Sequence, residues 1–282
     1  MFRIGEDLTN VVTTYLLSEE FKNRNITSKK DKEKIKLTTY DGFSIYSHED
    51  DIDVGKFVAQ HQYEPEIQKV FQRFLTPGMV VVDIGANIGF FTMLAASLVG
   101  PAGRVIAIEP NPANVTLLEA SRRANNFEQI AIHSIAAHST DGILVLNTSH
   151  SNGSVRQPSS VLDILLTSNV VPGFQLDRIL ELQRLDLVKI DVEGAEFEAL
   201  SGFRDALKLH RPTIISEFAP SSLGGKCEAY LQFLIDLKYR LGVVMPDGDI
   251  LDCGTERSLV LAEWAKRNTD HIDIIAINKP LN

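Results

Sequence analysis

Asp83-Ile84-Gly85-Ala86-Asn87-Ile88-Gly89 puts a carboxylate, two glycines and an amide into seven residues. The stretch closes the apolar run MVVVDIGA, which reads as a strand buried on both faces, and opens a helix predicted over residues 89–99. Glycine at 85 and 89 lets the backbone turn tightly and approach a ligand closely. The start of the following helix carries N–H groups without intrahelical partners, free to meet that ligand. Glu109 ends the next apolar run, RVIAIEP. A carboxylate there can accept from both hydroxyls of a ribose. Together these residues form the pattern of an adenosine-cofactor site.

Two cofactors share this layout. Dinucleotide sites use G-x-G-x-x-G so that backbone meets the pyrophosphate. Here Asn87 takes the middle position, which suits a ligand without a pyrophosphate. Asp83, at the end of its strand, can place a cationic methionine moiety directly or through water. Both features favour S-adenosylmethionine over NAD. An NAD-type oxidoreductase stays open as the rival, and a ligand-free strand–helix turn is the plainer alternative.

A second charged stretch, LVKIDVEGAE, ends a buried strand with Lys189, Asp191, Glu193 and Glu196. Glu217 ends PTIISEFAP in the same way. Open α/β sheets bind ligands at the ends of their parallel strands. Asp83, Glu109, Asp191, Glu193 and Glu217 should therefore gather at one rim. Taken alone, Glu193 also reads as a helix cap or a surface charge.

These motifs need a frame to hold them. Residues 4–24 show helical spacing, LTTYDGFSIYS reads as a hairpin about Asp41-Gly42, and residues 63–75 read as a helix with Pro65 in its first turn. Further strands are expected at QIAIHSIA, GILVLNT, YRLGVVM and IDIIAIN. Further helices are expected over 114–125, GAEFEALSGF and 225–238. A looser Ser/Asn/Gly-rich stretch spans 147–160, with two helical patches after it. Strands alternating with helices mean βαβ units, so the fold class is α/β: a Rossmann-like, mainly parallel sheet with helices on both faces. Residues 1–75 would form an N-terminal cap of helix, hairpin and helix, and residues 76–282 the cofactor-binding core.

Composition narrows the partners. The net charge of −9 lacks the broad basic footprint of nucleic-acid binding. The one basic run, Lys29, Lys30, Lys32, Lys34 and Lys36, is interleaved with Asp31 and Glu33 and reads as a solvated linker. The opening MFRIGEDLTN lacks a signal-peptide pattern, and the most apolar stretch, 79–99, is broken by Asp83, Asn87 and glycines. The expectation is a cytoplasmic protein with neither membrane nor nucleic-acid partners. Cys227 and Cys253 form no ligand cluster and no disulfide framework.

VVVDIGANIGFFT, RVIAIEPNPAN, AAHSTDG, DLVKIDVEGAEFEALSGF and RPTIISE, with Tyr63-Glu64 upstream, occur in an order that resembles the FkbM family of methyltransferases. The resemblance spans roughly residues 60–220, and KIDVEGAE is its most specific part. It implies a class I methyltransferase fold and methyl transfer from S-adenosylmethionine, typically to oxygen, on natural products, peptides or sugars. By position it implies that Asp83, Gly85, Ala86, Asn87 and Gly89 form the methionine-side loop and that Tyr63 and Glu64 also bind the cofactor. Glu109 would hold the ribose with Asn111 nearby, and Ala136 would lie beside the adenine. Asp191 would sit near the transferred methyl group, with Glu193 and Glu217 facing the acceptor.

The expected reaction is O-methylation of a small-molecule hydroxyl or carboxylate by in-line transfer. Holding the acceptor in line is worth about 7–11 kcal/mol. Asp191 or Glu193 would act as base or acceptor-orienting group, worth about 10²–10⁴-fold for a hydroxyl. His150, in the SHSNGS stretch, could close over the site as another base; an ordinary surface histidine is the plainer reading, as for His133 and His138. Asp191, Glu193 and Glu217 lack the tight spacing of a metal site, so no metal is expected. A module that binds the cofactor without turnover is a further alternative. A homodimer contact through the cap is the remaining partner expectation.

Overall fold

The computed structural model describes residues 34–160 and 169–278. The helix expected over 4–24 lies outside them, as do Lys29, Lys30 and Lys32. The described chain opens with β1 (Ile35–Tyr40) and β2 (Phe43–His48), the expected hairpin, turning through Gly42 at φ 86°. Lys34 and Lys36 are not linker residues: they pair with Asp50 and Glu49 at the open end of this hairpin. Helices α1 (Gly55–Ala59) and α2 (Pro65–Phe74) follow. Ile67, Val70 and Phe71 form the buried stripe of α2.

The central sheet has eight strands in the order β13-β12-β14-β11-β10-β3-β4-β5. Its parallel part comprises β3 (Val80–Ile84), β4 (Arg104–Ile108), β5 (Ile130–His133), β10 (Leu187–Ile190) and β11 (Thr213–Phe218). Three antiparallel strands complete it: β12 (Arg240–Val244), β13 (Ile250–Gly254) and β14 (Ile272–Ile277). The last of these, β14, inserts between β11 and β12. From β3 the chain adds β4 and β5 on one side and later β10 and β11 on the other. The order reverses between β3 and β10, which opens a crevice at the strand ends.

Alternating side chains feed two apolar layers. Val82, Ile84, Val188, Ile190, Ile214 and Phe218 pack with α6 (Glu196–Ser201), α7 (Arg204–His210), α8 (Cys227–Asp236) and α9 (Arg257–Arg267). Val81, Val105, Ala107, Leu187, Ile215 and Ile275 pack on the other face with the hairpin, α1, α2 and α3 (Phe90–Val99). Phe43, Ile45, Val54 and Val58 share one apolar cluster with Phe90 and Phe91, so the N-terminal elements are part of the core packing.

Four expectations change. The strand expected at QIAIHSIA breaks at Ser134-Ile135 into β5 and the short β6 (Ala136–Ala137). The helix expected from residue 114 is α4 (Pro112–Ala124): Pro112 takes its first turn and the Asn111 side chain accepts from Ala113 N–H at 3.1 Å. The stretch 147–160 is not loose. It completes β7 (Gly142–Ser149) and forms β8 (Asn152–Arg156), a hairpin that joins β6 and β9 (Val170–Phe174) in a four-stranded sheet. Of the two helical patches expected after it, one short helix is described, α5 (Leu176–Ile179), preceded by β9.

Candidate active site

The turn from β3 to α3 is held by its own hydrogen bonds. Gly85 and Ala86 N–H donate to the Ile108 carbonyl at 2.9 and 3.1 Å. Asn87 N–H donates to Glu109 Oε2 at 2.8 Å, Ile88 N–H to Asn87 Oδ1 at 2.7 Å, and Gly89 N–H to the Ala86 carbonyl at 2.8 Å. All five N–H groups are thus engaged within the chain. This leaves a pyrophosphate no backbone donor within residues 85–89. Glycine at 85 serves the tight turn expected of it: its φ is 80°, and a Cβ there would stand 1.8 Å from the Asp191 carbonyl oxygen at the β10 end.

A cleft of about 550 Å³ lies at the switch point. Gly85, Asn87 and Glu109 form its polar floor; Ile84, Ile108, Ala136, Ala137, Val155 and Val192 give it apolar walls. Asp191 and Glu193 stand at one end, and Ser151 and Asn152 of the β7–β8 turn close the top. The turn is fastened there by Asn87 Nδ2 to Asn152 Oδ1 at 3.0 Å and Asn114 Nδ2 to the Ser151 carbonyl at 2.7 Å. Glu109 is fixed in place by N–H donation from Asn87 and from Asn111 at 2.7 Å. Burial nevertheless raises its pKa to about 7, these hydrogen bonds opposing the shift.

Not every expected residue borders this cleft. Asp83 and Ala86 line a smaller adjoining cavity of about 220 Å³, with Tyr63, Phe91 and Lys189. Asn111 is buried and spends its groups on Glu109 and on capping α4, and Gly89 packs against Leu118. Tyr63, Glu64 and Glu217 face a wide basin of about 1310 Å³. Asp191, Glu193 and Asn152 line both the cleft and the basin. His150 sits on the hairpin turn with Nδ1 3.3 Å from Asp53 Oδ2.

Sheet register explains why these charges meet. Lys189 pairs across from Asp83, and Glu217 across from Asp273 on β14. With Asp191 two residues beyond Lys189, all five project to the same face. Lys189 is 5% exposed; its Nζ donates to Asp191 Oδ2 at 3.1 Å and lies 4.9 Å from the Phe91 ring centroid. Asp191, Glu64 and Asp83 hold it protonated against its burial. Glu64, at φ 41°, and Glu193, at φ 54°, are non-glycine residues in the left-handed region beside the same basin. Burial and the charges of Asp191, Glu193, Glu196 and Asp273 push the Glu217 carboxyl well above its ordinary range. Residue types alone do not mark Asp273 as a member of this network, or Lys189 as its buried counter-charge; strand register brings both in.

The sequence profile of the methyltransferase FkbM domain matches residues 83–241, more than half of the chain. The chain belongs to the FkbM methyltransferase family. Methyltransferase 1 of Beauveria bassiana (strain ARSEF 2860) is 26% identical to it over 196 residues, covering 61% of this chain and 76% of the relative. Methyltransferase sdnD of Sordaria araneosa is 24% identical over 185 residues, 54% of this chain and 71% of the relative. A crystal structure of methyltransferase FkbM from Methylobacillus flagellatus KT has a TM-score of 0.46 at 17% identity, over 78% of this chain and 52% of that one. The fold is that of a class I methyltransferase, and the cofactor of this FkbM methyltransferase is S-adenosylmethionine.

The residues present fit that cofactor. Asp83, 1% exposed, accepts from Thr92 Oγ1 at 2.6 Å through Oδ2, while Oδ1 has no partner among the described residues. A buried acceptor of this kind suits a cationic group beside the cleft. The apolar walls suit a purine, and the loop's engaged N–H groups require no phosphate. No helix among the described residues is long and apolar enough to cross a membrane.

Proposed function

We propose that this FkbM methyltransferase methylates a hydroxyl oxygen of a small molecule bound in the basin beside the cofactor cleft. The observation that carries this reading is the shared wall: Asp191, Glu193 and Asn152 line both spaces. A group bound on one side can therefore reach a group bound on the other.

In this reading Glu109 accepts from the ribose, Ala136 and Val155 flank the adenine, and Asp83 receives the methionine ammonium. S-adenosylmethionine supplies a methyl group on sulfonium sulfur: the acceptor oxygen bonds to that carbon as the C–S bond breaks and its electron pair stays on sulfur. The hydroxyl proton passes to the Glu193 carboxylate, which is exposed on the rim and can release it to water. Asp191 is tied to Lys189 and so orients the acceptor rather than taking its proton. Tyr63 and Glu64 line the same basin. The N-terminal elements, residues 34–75, would act as the cap that selects the acceptor.

Methyl-labelled S-adenosylmethionine, incubated with the protein and a panel of hydroxylated small molecules, tests this. The product should carry its new methyl on oxygen by NMR, and Glu193→Gln should slow transfer about 10²-fold or more with cofactor binding retained. Label found on nitrogen or carbon would overturn the oxygen assignment.

A further inference from the structure

Resting on the methyltransferase reading, we propose that the acceptor is a small organic cation, a molecule bearing an ammonium or guanidinium group beside the hydroxyl to be methylated. The basin presents Glu64, Glu66, Asp191, Glu193, Glu217 and Asp270 to its occupant. Among the described residues no lysine or arginine lines it, and His271 is its single basic side chain. Asp53, also on the rim, is paired with His150.

Few cations balance this charge from behind. Lys189 lies buried beneath the basin, where Asp191, Glu64, Asp83 and Asp273 all draw on it, and Arg267 also acts on Asp273. Glu217 faces Asp273 directly across antiparallel strands, and burial raises both carboxyls above their ordinary range. Behind the basin, Glu196 is 0% exposed; its Oε1 accepts from Val192 and Gly194 N–H, and its Oε2 has no partner among the described residues. It adds to the negative potential at Glu217.

A cation in the basin would relieve these groups together, whereas an anionic acceptor would be repelled. Of the two oxygen nucleophiles, hydroxyl and carboxylate, the first therefore fits. A metal ion fits the carboxylates less well: among the described residues no three His, Cys, Asp or Glu are grouped to hold one. The basin is also wide enough for an organic molecule.

A matched series isolates charge. The full chain, saturated with S-adenosylhomocysteine, is titrated calorimetrically with aminobutanol, butanediol and hydroxybutyrate, which share a chain length and a hydroxyl. Aminobutanol should bind about tenfold or more tighter than butanediol, and hydroxybutyrate weakest. Glu66→Gln and Asp270→Asn, both at the basin, should each shrink that preference, as should added salt. Equal binding of the three, binding of none, or a preference untouched in both variants would overturn the proposal. Saturable magnesium binding that displaces aminobutanol would do the same. The initial S-adenosylhomocysteine titration keeps the two readings apart. Its failure counts against the cofactor site, and its success without a charge preference counts against the cationic acceptor alone.

Discussion

Lys189 Nζ lies 3.1 Å from Asp191 Oδ2, at the point where β10 ends and both the cleft and the basin begin. The pair couples the core of the sheet to the site. Lys189 is buried among carboxylates, so its removal leaves them without their counter-charge. Lys189→Met should destabilise the fold by about 3–5 kcal/mol in denaturant titration. Adding Asp191→Leu should recover part of that loss, whereas independent roles would give additive losses.

Gly85 links the cofactor loop to the same strand end. An alanine there combines a left-handed φ with a 1.8 Å overlap on the Asp191 carbonyl. Gly85→Ala should cost more than about 2 kcal/mol of stability and displace the loop that carries Asn87. Denaturant titration and cofactor titration of one preparation check both. Unchanged stability would contradict the packing described here.

The acidic basin sets a pH dependence. Burial and neighbouring carboxylates raise the Glu217 pKa, so the folded state holds a proton that the unfolded state has released. Its contribution is therefore full below the ordinary glutamate range and is lost as pH rises through the raised value. Glu217→Gln and the wild type should melt alike near pH 4.5, and the variant should gain on the wild type as pH rises toward 8. Each kcal/mol corresponds to about 2–4 °C in Tm. A constant difference across that range would contradict the shift.

The β7–β8 turn fastens the top of the cleft through Asn87 and Asn152. One such hydrogen bond is worth about 0.5–1.5 kcal/mol. Asn152→Ala should therefore weaken S-adenosylhomocysteine binding about 2–10-fold with little change in Tm. An equal loss of stability would assign the turn a folding role instead.

Much of this site was legible from residue types. The turn at Asp83–Gly89, Glu109 at the end of β4 and the charged end of β10 follow from apolar runs that stop at polar residues. The β7–β8 hairpin was not, because Ser, Asn and Gly between residues 147 and 160 have low strand propensity. Its strands are held by the pairing of Val145 with Arg156 and Leu146 with Val155. The short β13 and the helix α9 were also passed over, β13 for its Asp-Cys-Gly ending. The role of Asp273 was hidden because it depends on register: within IDIIAIN it is one polar residue in an apolar strand, and only pairing with Glu217 places it at the basin.

Calorimetric titration with S-adenosylhomocysteine and with NAD tests the cofactor assignment most directly. With every N–H of residues 85–89 engaged and Glu109 fixed at the cleft floor, S-adenosylhomocysteine should bind saturably at one site, and NAD should give no saturable heat. Glu109→Ala should abolish the binding by removing the acceptor that also holds Asn87 and Asn111. Saturable binding of NAD, with none of S-adenosylhomocysteine, would contradict it.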